Sequence, residues 1–158
     1  MIDNISWLAI YPEIVLLVMA CVIALVDLAI HSPRRTGTYV LTLLTLGVVA
    51  LLEGMYASRG TTFYGFGNMV VSDAMGNWLK CFAAVAMMMT LVYGRPYAGD
   101  RDMLRGGELF TLSLFSLLGM FIMICGNDFL VLYLGLELLT LSSYALVALR
   151  REDATATE

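Results

Sequence analysis

Five apolar stretches, each close to 20 residues long, constrain the fold of this chain more than any other feature. A helix of about 20 residues crosses a hydrocarbon core of roughly 30 Å. The composition agrees, because 60% of the 158 residues are hydrophobic and only 14% are charged, against about 25% charged in an average protein. We therefore predict an all-α, polytopic membrane protein that forms one transmembrane domain over residues 1–158. Its predicted spans are residues 11–30, 36–57, 74–94, 107–125 and 128–149.

The arginines between the spans predict the orientation of the chain. Seven of them follow the odd-numbered spans, whereas Arg59 is the one arginine in the connections on the other side. The positive-inside rule places the richer side in the cytoplasm, so we expect the N-terminus outside and the C-terminus inside. The opening MIDNISW lacks the positive segment of a signal peptide, so we expect the first span to be retained. The seven arginines are Arg34, Arg35, Arg95, Arg101, Arg105, Arg150 and Arg151.

The connection from Ser58 to Asp73 is rich in glycine, aromatic and β-forming residues. Its two segments TTFYG and NMVVS flank the turn-forming FGN. This pattern predicts a short β-hairpin at the membrane surface, with a flexible loop as the alternative.

Charge and motif content exclude several classes of function. The net charge of −4 comes with no basic stripe, so we predict no nucleic-acid partner. The sequence has no metal-ligand cluster, nucleophile elbow or glycine-rich phosphate loop, so we predict no metal, no bound cofactor and no soluble-enzyme activity for this chain. The cysteines Cys21, Cys81 and Cys125 each lie in an apolar run without C-x-x-C spacing. We expect them to be small buried core residues, with a disulfide or metal role as the alternative.

Most acidic residues of the apolar segments lie close to span ends. Glu13 and Glu108 fall in the first turn of their helices, where the helix dipole favours an acid. Glu53 lies about one turn from the end of its span. Asp27 lies near a helix C-terminus, where the dipole disfavours it, so we expect the arginines that follow to compensate.

Glu137 lies deeper than these residues. It is nine residues past Asp128, or about 14 Å along a helix, which places it near the middle of the bilayer. A charge there costs about 2.5–3.5 kcal/mol on insertion scales, so it should face protein or water. Helical spacing puts two tyrosines and a threonine on its face, next to small residues that let helices approach closely. We predict a proton relay at Glu137, with a structural hydrogen bond between helices as the alternative. The residues of this face are Tyr133, Thr140, Leu141 and Tyr144, and the small residues are Gly135, Ser142 and Ser143.

Lys80 is the lysine of the chain, and it lies seven residues past Asp73, about 10 Å along its helix. The first expectation is that its long side chain extends outward to water. The second is that it pairs with Glu137, since the two differ in depth by only about 4 Å. If the two helices do not touch, the partner of Glu137 must lie in another segment.

A known family carries similar residues. The segment GELFTLSLFSLLGMFIMICGNDFLVLYLGLELLTLSSYALVALRRED resembles the antiporter-like membrane subunits of the proton-pumping NADH:quinone oxidoreductase, respiratory complex I. PEIVLL in the first span and LGM in the fourth are also similar. The motif GLELLTLSSYALVALRR in the fifth span is the most specific part of the resemblance.

The resemblance implies two inverted five-helix units with broken helices, of which this chain corresponds to the N-terminal portion in truncated form. Glu137 matches the buried glutamate of the family, which works against a lysine in a later span, whereas Lys80 matches no family motif. The resemblance also implies proton translocation coupled to quinone reduction and a multi-pass location in the cell inner (plasma) membrane. Partners would be the lipid bilayer and other membrane subunits. NADH, FMN, iron–sulfur clusters and quinone would belong to the complex and not to this chain.

Two other readings remain open at this point. The same fold and buried glutamate occur in subunits of multi-subunit sodium–proton antiporters and membrane-bound hydrogenases. The other hypothesis is not a transporter but a non-catalytic membrane subunit, in which Glu137 only holds helices together.

Overall fold

The computed structural model describes residues 4–29, 36–100 and 107–149. Five of its helices are long and apolar enough to cross a membrane, which confirms the predicted fold class. A short additional helix and a two-stranded sheet complete the described part of the chain. The elements in order are α1 (Asn4–Ala9), α2 (Tyr11–Ala29), α3 (Thr36–Arg59), β1 (Phe63–Gly65), β2 (Val70–Ser72), α4 (Ala74–Asp100), α5 (Glu108–Cys125) and α6 (Phe129–Val147).

The helix bounds agree with the predicted spans to within two residues, apart from the end of α4. We predicted that this span ends at residue 94, but the helix continues to Asp100 through Pro96. Proline removes one backbone donor and disfavours a helix interior, yet the single missing bond does not end this helix. The helix α1 was not predicted, because six residues are too few for a periodicity signal.

The predicted hairpin is confirmed. The strands pair antiparallel, with Phe63 opposite Ser72. The turn between them holds Phe66, Gly67 and Asn68 at positive φ, a backbone conformation that glycine and asparagine adopt readily. The backbone N–H of Asn127, in the turn between α5 and α6, donates to Met69 at 2.9 Å. The hairpin is therefore anchored to the end of the bundle where α5 ends and α6 begins, which we call the hairpin end.

The bundle is organised around α5. This helix contributes a row of fully buried side chains that includes Phe110, Leu114, Leu117 and Phe121, and it packs against α2, α4 and α6. In contrast, α6 packs mainly against α5. One side of the molecule is thus a closed apolar core, and the other is a single helix leaning against it.

Candidate functional site

Three charged side chains meet in the interior at the hairpin end of the bundle. Glu13 comes from α2, Glu53 from α3 and Lys80 from α4. Glu53 is 0% exposed, Lys80 1% and Glu13 6%. The Lys80 ammonium group donates a hydrogen bond to Glu13 Oε1, and its Nζ lies 3.8 Å from Glu53 Oε1. We call these three residues the acid–lysine cluster.

The alternating direction of the helices brings the three residues into the same half of the bundle. Glu53 lies six residues before the end of α3, and Lys80 six residues after the start of α4, so each is about 9 Å from the hairpin end. Glu13 is the third residue of α2, which starts at that same end. The cluster therefore lies in the half of the bundle next to the hairpin.

The two carboxylates of the cluster differ in their bonding. Glu13 has one oxygen on the lysine, whereas a distance of 3.8 Å is too long for a hydrogen bond from Lys80 to Glu53. Among the described residues, neither oxygen of Glu53 and only one oxygen of Glu13 has a hydrogen-bond partner. With all groups ionised, the cluster would carry one uncompensated negative charge in a buried position.

These positions correct the sequence-based expectations for Lys80 and for the two acids. The prediction that Lys80 extends outward to water is wrong, because its side chain is buried. Its ion pairs in the described part of the chain are with Glu13 and Glu53, and not with Glu137. The helix dipole alone also gave an incomplete account of Glu13. Comparing the depths of all charged residues across neighbouring spans would have grouped these three.

A buried polar contact lies between the cluster and the hairpin. Asn77 of α4 donates to Ser72 Oγ of β2 at 3.1 Å, and both side chains are buried. Asn77 lies three residues before Lys80, a spacing that places both on one face of α4. Polar side chains therefore extend from the hairpin towards the cluster.

Glu137 lies on another helix and in a different setting. It is eight residues from the start and ten from the end of α6, about 12 and 15 Å, which is close to the middle of the span as predicted. Its side chain is half-buried, and Tyr133, one turn earlier, lies within electrostatic reach of its carboxylate.

The polar face around Glu137 is more open than expected. Tyr133 is 59% exposed and Tyr144 is 70% exposed, so the described helices leave this face uncovered. The physical reason is that α5 covers only the opposite side of α6. The Thr140 hydroxyl donates to the backbone oxygens of Leu136 and Glu137, at 2.9 and 3.1 Å, and not to the Glu137 carboxylate.

The contact between α5 and α6 depends on two glycines, as the small residues of the sequence suggested. A Cβ on Gly119 would lie 2.7 Å from the backbone nitrogen of Leu139, and one on Gly135 would lie 2.9 Å from that of Met123. Only glycine permits so close an approach of two backbones. This contact positions the helix that carries Glu137.

At the other end of the bundle, Asp27 accepts hydrogen bonds from described residues, whereas the arginines expected to compensate its charge, Arg34 and Arg35, lie outside the described residues. It accepts from the Gly107 backbone N–H at 2.9 Å and from the Thr38 hydroxyl at 3.0 Å.

The three cysteines differ from one another in burial. Cys125 is buried as expected, whereas Cys81 is half-buried and Cys21 is exposed, because no helix of the described residues covers that face of α2. All three are free thiols, and the described residues contain no group of three metal-ligating side chains.

Comparison with known proteins supplies the family. No family model matches the chain. It is 75% identical over all of its 158 residues to NADH-quinone oxidoreductase subunit N of Polaromonas naphthalenivorans. It is 47% identical over 99% of its length to the subunit N of Herminiimonas arsenicoxydans, and 49% identical over 93% to that of Cupriavidus taiwanensis. In each case the chain spans only about a third of the relative, 32%, 32% and 30% respectively. Identity at this level over essentially the whole chain is close homology, and the chain is a homologue of NADH-quinone oxidoreductase subunit N that spans about a third of that subunit's length.

Proposed function

We propose that this chain forms part of a membrane subunit that takes part in proton translocation coupled to quinone reduction, with Glu137 as a proton relay. The complete enzyme would be a proton-translocating NADH:quinone oxidoreductase. NADH, FMN, iron–sulfur clusters and quinone would be bound by the complex, and this chain would bind no metal or redox centre. Its partners would be other membrane subunits and the lipid bilayer, in the bacterial inner membrane, with the N-terminus outside.

The position of Glu137 is the observation that carries this proposal. A half-buried carboxylate in the middle of an apolar helix is too costly to keep without a partner or a function. It can accept one proton from a donor on one side and release it to an acceptor on the other, returning to the carboxylate form. The adjacent Tyr133 hydroxyl would orient it.

The open face around Glu137 supports a partner beyond the five helices. Tyr133, Leu141 and Tyr144 are all more than half exposed, so nothing in the described residues pairs with the acid on that side by an ion pair. A basic group from the remainder of the subunit, of which this chain spans about a third, would complete the relay. Lys80 is not that group, because its ion pairs are in the acid–lysine cluster.

The test is Glu137→Gln in the full-length subunit within the purified complex, reconstituted into vesicles. We expect normal assembly and fewer protons moved per NADH oxidised, since glutamine keeps the volume but cannot exchange a proton. Glu108→Gln is the matched control, because Glu108 is an exposed acid at the start of α5, and it should leave the ratio unchanged.

The alternative functions predict different outcomes. If Glu137 only holds helices together, the variant yields less complex with a normal proton ratio. If the subunit belonged to an antiporter, vesicles would show sodium-dependent pH gradients without NADH. The shared name of the relatives supports the quinone-linked function over the antiporter.

A further inference from the structure

The acid–lysine cluster combines two carboxylates with one ammonium group in a buried site. Its members are Glu13, Glu53 and Lys80, and each is at least nine-tenths buried. Glu53 is 0% exposed, and neither of its oxygens has a hydrogen-bond partner among the described residues. A buried ionised carboxylate without hydrogen bonds is among the most costly arrangements in a protein.

Among the described residues, no neighbouring titratable group supplies a second buried positive charge. Cys125 of α5, Cys81 of α4 and Tyr56 of α3 lie within electrostatic reach of the cluster, and thiols and phenols are ordinarily uncharged near neutral pH. Arg59 interacts with Tyr56 but is exposed at the end of α3. Lys80 therefore neutralises one carboxylate, and the other remains to be neutralised.

We propose that the cluster is a second proton-binding site, separate from Glu137, in which Glu13 and Glu53 together hold one proton opposite the Lys80 ammonium group. In the arrangement described here, the ion pair is Lys80 with Glu13, and the proton is on Glu53. Moving the Nζ of Lys80 across the 3.8 Å gap to Glu53 would release that proton, and Glu13 would take one up. Charge is balanced in both states, and no oxidant or reductant is needed.

The occupancy of this site follows from charge balance, and it can be measured without any proton pumping. Infrared spectra of the purified complex, taken as variant-minus-wild-type differences in H₂O and D₂O, report protonated carboxyl groups through their isotope-sensitive C=O band. Glu53→Gln should remove one such group. Glu13→Gln should also remove one, because Glu53 then becomes the counter-ion of Lys80 and loses its proton. Lys80→Met should instead raise the number of protonated carboxyl groups in the cluster from one to two.

The opposite signs of these effects make the test decisive. Glu108→Gln, an exposed acid, should leave the band unchanged. A wild-type band in Glu13→Gln or in Glu53→Gln would overturn the proposal, because it would mean that the remaining acid does not respond to the charge of its neighbour or that Glu53 was never protonated. If Lys80→Met fails to assemble, the two glutamine variants still decide. Glu137→Gln should not alter the cluster band, so a failure of the relay proposed for Glu137 is distinguishable from a failure of this site.

Discussion

Glu137 and the acid–lysine cluster are both membrane-embedded acidic groups, but the bundle treats them in different ways. Glu53 and Lys80 are enclosed by α2, α3, α4 and α5, whereas Glu137 lies on α6, whose outer face is largely exposed. Half of the residues in the apolar span of α5 are buried, against 11% of those in the span of α6. The cluster is thus complete within the described chain, while the face around Glu137 is open to whatever packs against it. The glutamates of the cluster are therefore enclosed by the bundle, whereas Glu137 lies on a surface that another segment can cover.

The largest effect is expected from a double substitution that breaks the charge balance of the acid–lysine cluster. Replacing both acids, Glu13→Gln with Glu53→Gln, leaves Lys80 buried without a counter-ion, and we expect a loss of about 3–5 kcal/mol in the free energy of unfolding. Each single variant should cost much less, because the other carboxylate takes over. Denaturant titration of the purified full-length subunit in its complex measures the difference.

The control for this prediction adds Lys80→Met to the double variant. Removing the buried cation should recover most of the lost stability, because no unpaired charge remains. A triple variant as unstable as the double one would mean that packing, and not charge, holds the cluster together.

A second prediction concerns the opposite end of the enclosed region. Asp27→Ala removes the acceptor of the Gly107 and Thr38 hydrogen bonds, at 2.9 and 3.0 Å. A hydrogen bond to a charged group contributes about 1.5–3 kcal/mol, so the free energy of unfolding should fall by about that range, as measured by thermal unfolding. Asp27→Asn keeps a neutral acceptor oxygen and should lose less. Equal losses for both variants would show that the charge on Asp27, and not its bonding, matters.

A third substitution would loosen the contact between α5 and α6, which is the only extensive contact that α6 makes with the described helices. Gly119→Ala would place a Cβ 2.7 Å from the backbone nitrogen of Leu139. Such overpacking costs about 1–3 kcal/mol. Both stability and the yield of assembled complex should fall. Gly94→Ala is the matched control, because a Cβ there meets nothing within 4 Å, and it should leave both unchanged. A harmless Gly119→Ala would mean that α5 and α6 can separate without loss.

The smallest expected effect concerns Glu137. Because none of the described residues forms an ion pair with Glu137, we expect Glu137→Gln to change the free energy of unfolding less than the cluster, Asp27 and Gly119 substitutions do, although it should lower proton pumping. The same substitution would thus separate stability from function at Glu137, while at the cluster both depend on charge. A stability loss as large as that of the double cluster variant would contradict the comparison.

The fold could be predicted from the sequence in most respects. Hydrophobic runs of bilayer length determine where helices form, since a backbone in lipid must satisfy its own hydrogen bonds. The hairpin followed from the FGN turn between β-forming segments. The extension of α4 beyond Pro96 could not be predicted, because a proline ends some helices and not others, depending on packing that the sequence does not display.

The sites divide in the same way. The sequence by itself identified Glu137 as an acid in the middle of a span, because helical rise converts residue number directly into depth. Only the tertiary structure decided that Lys80 pairs with Glu13 and Glu53, since residues 67 positions apart meet according to which helices pack together. The tertiary structure also decided that the face of Glu137 is exposed. Depth is a property of one helix and can be counted along the chain, whereas contact and exposure are properties of several helices and arise only when they assemble.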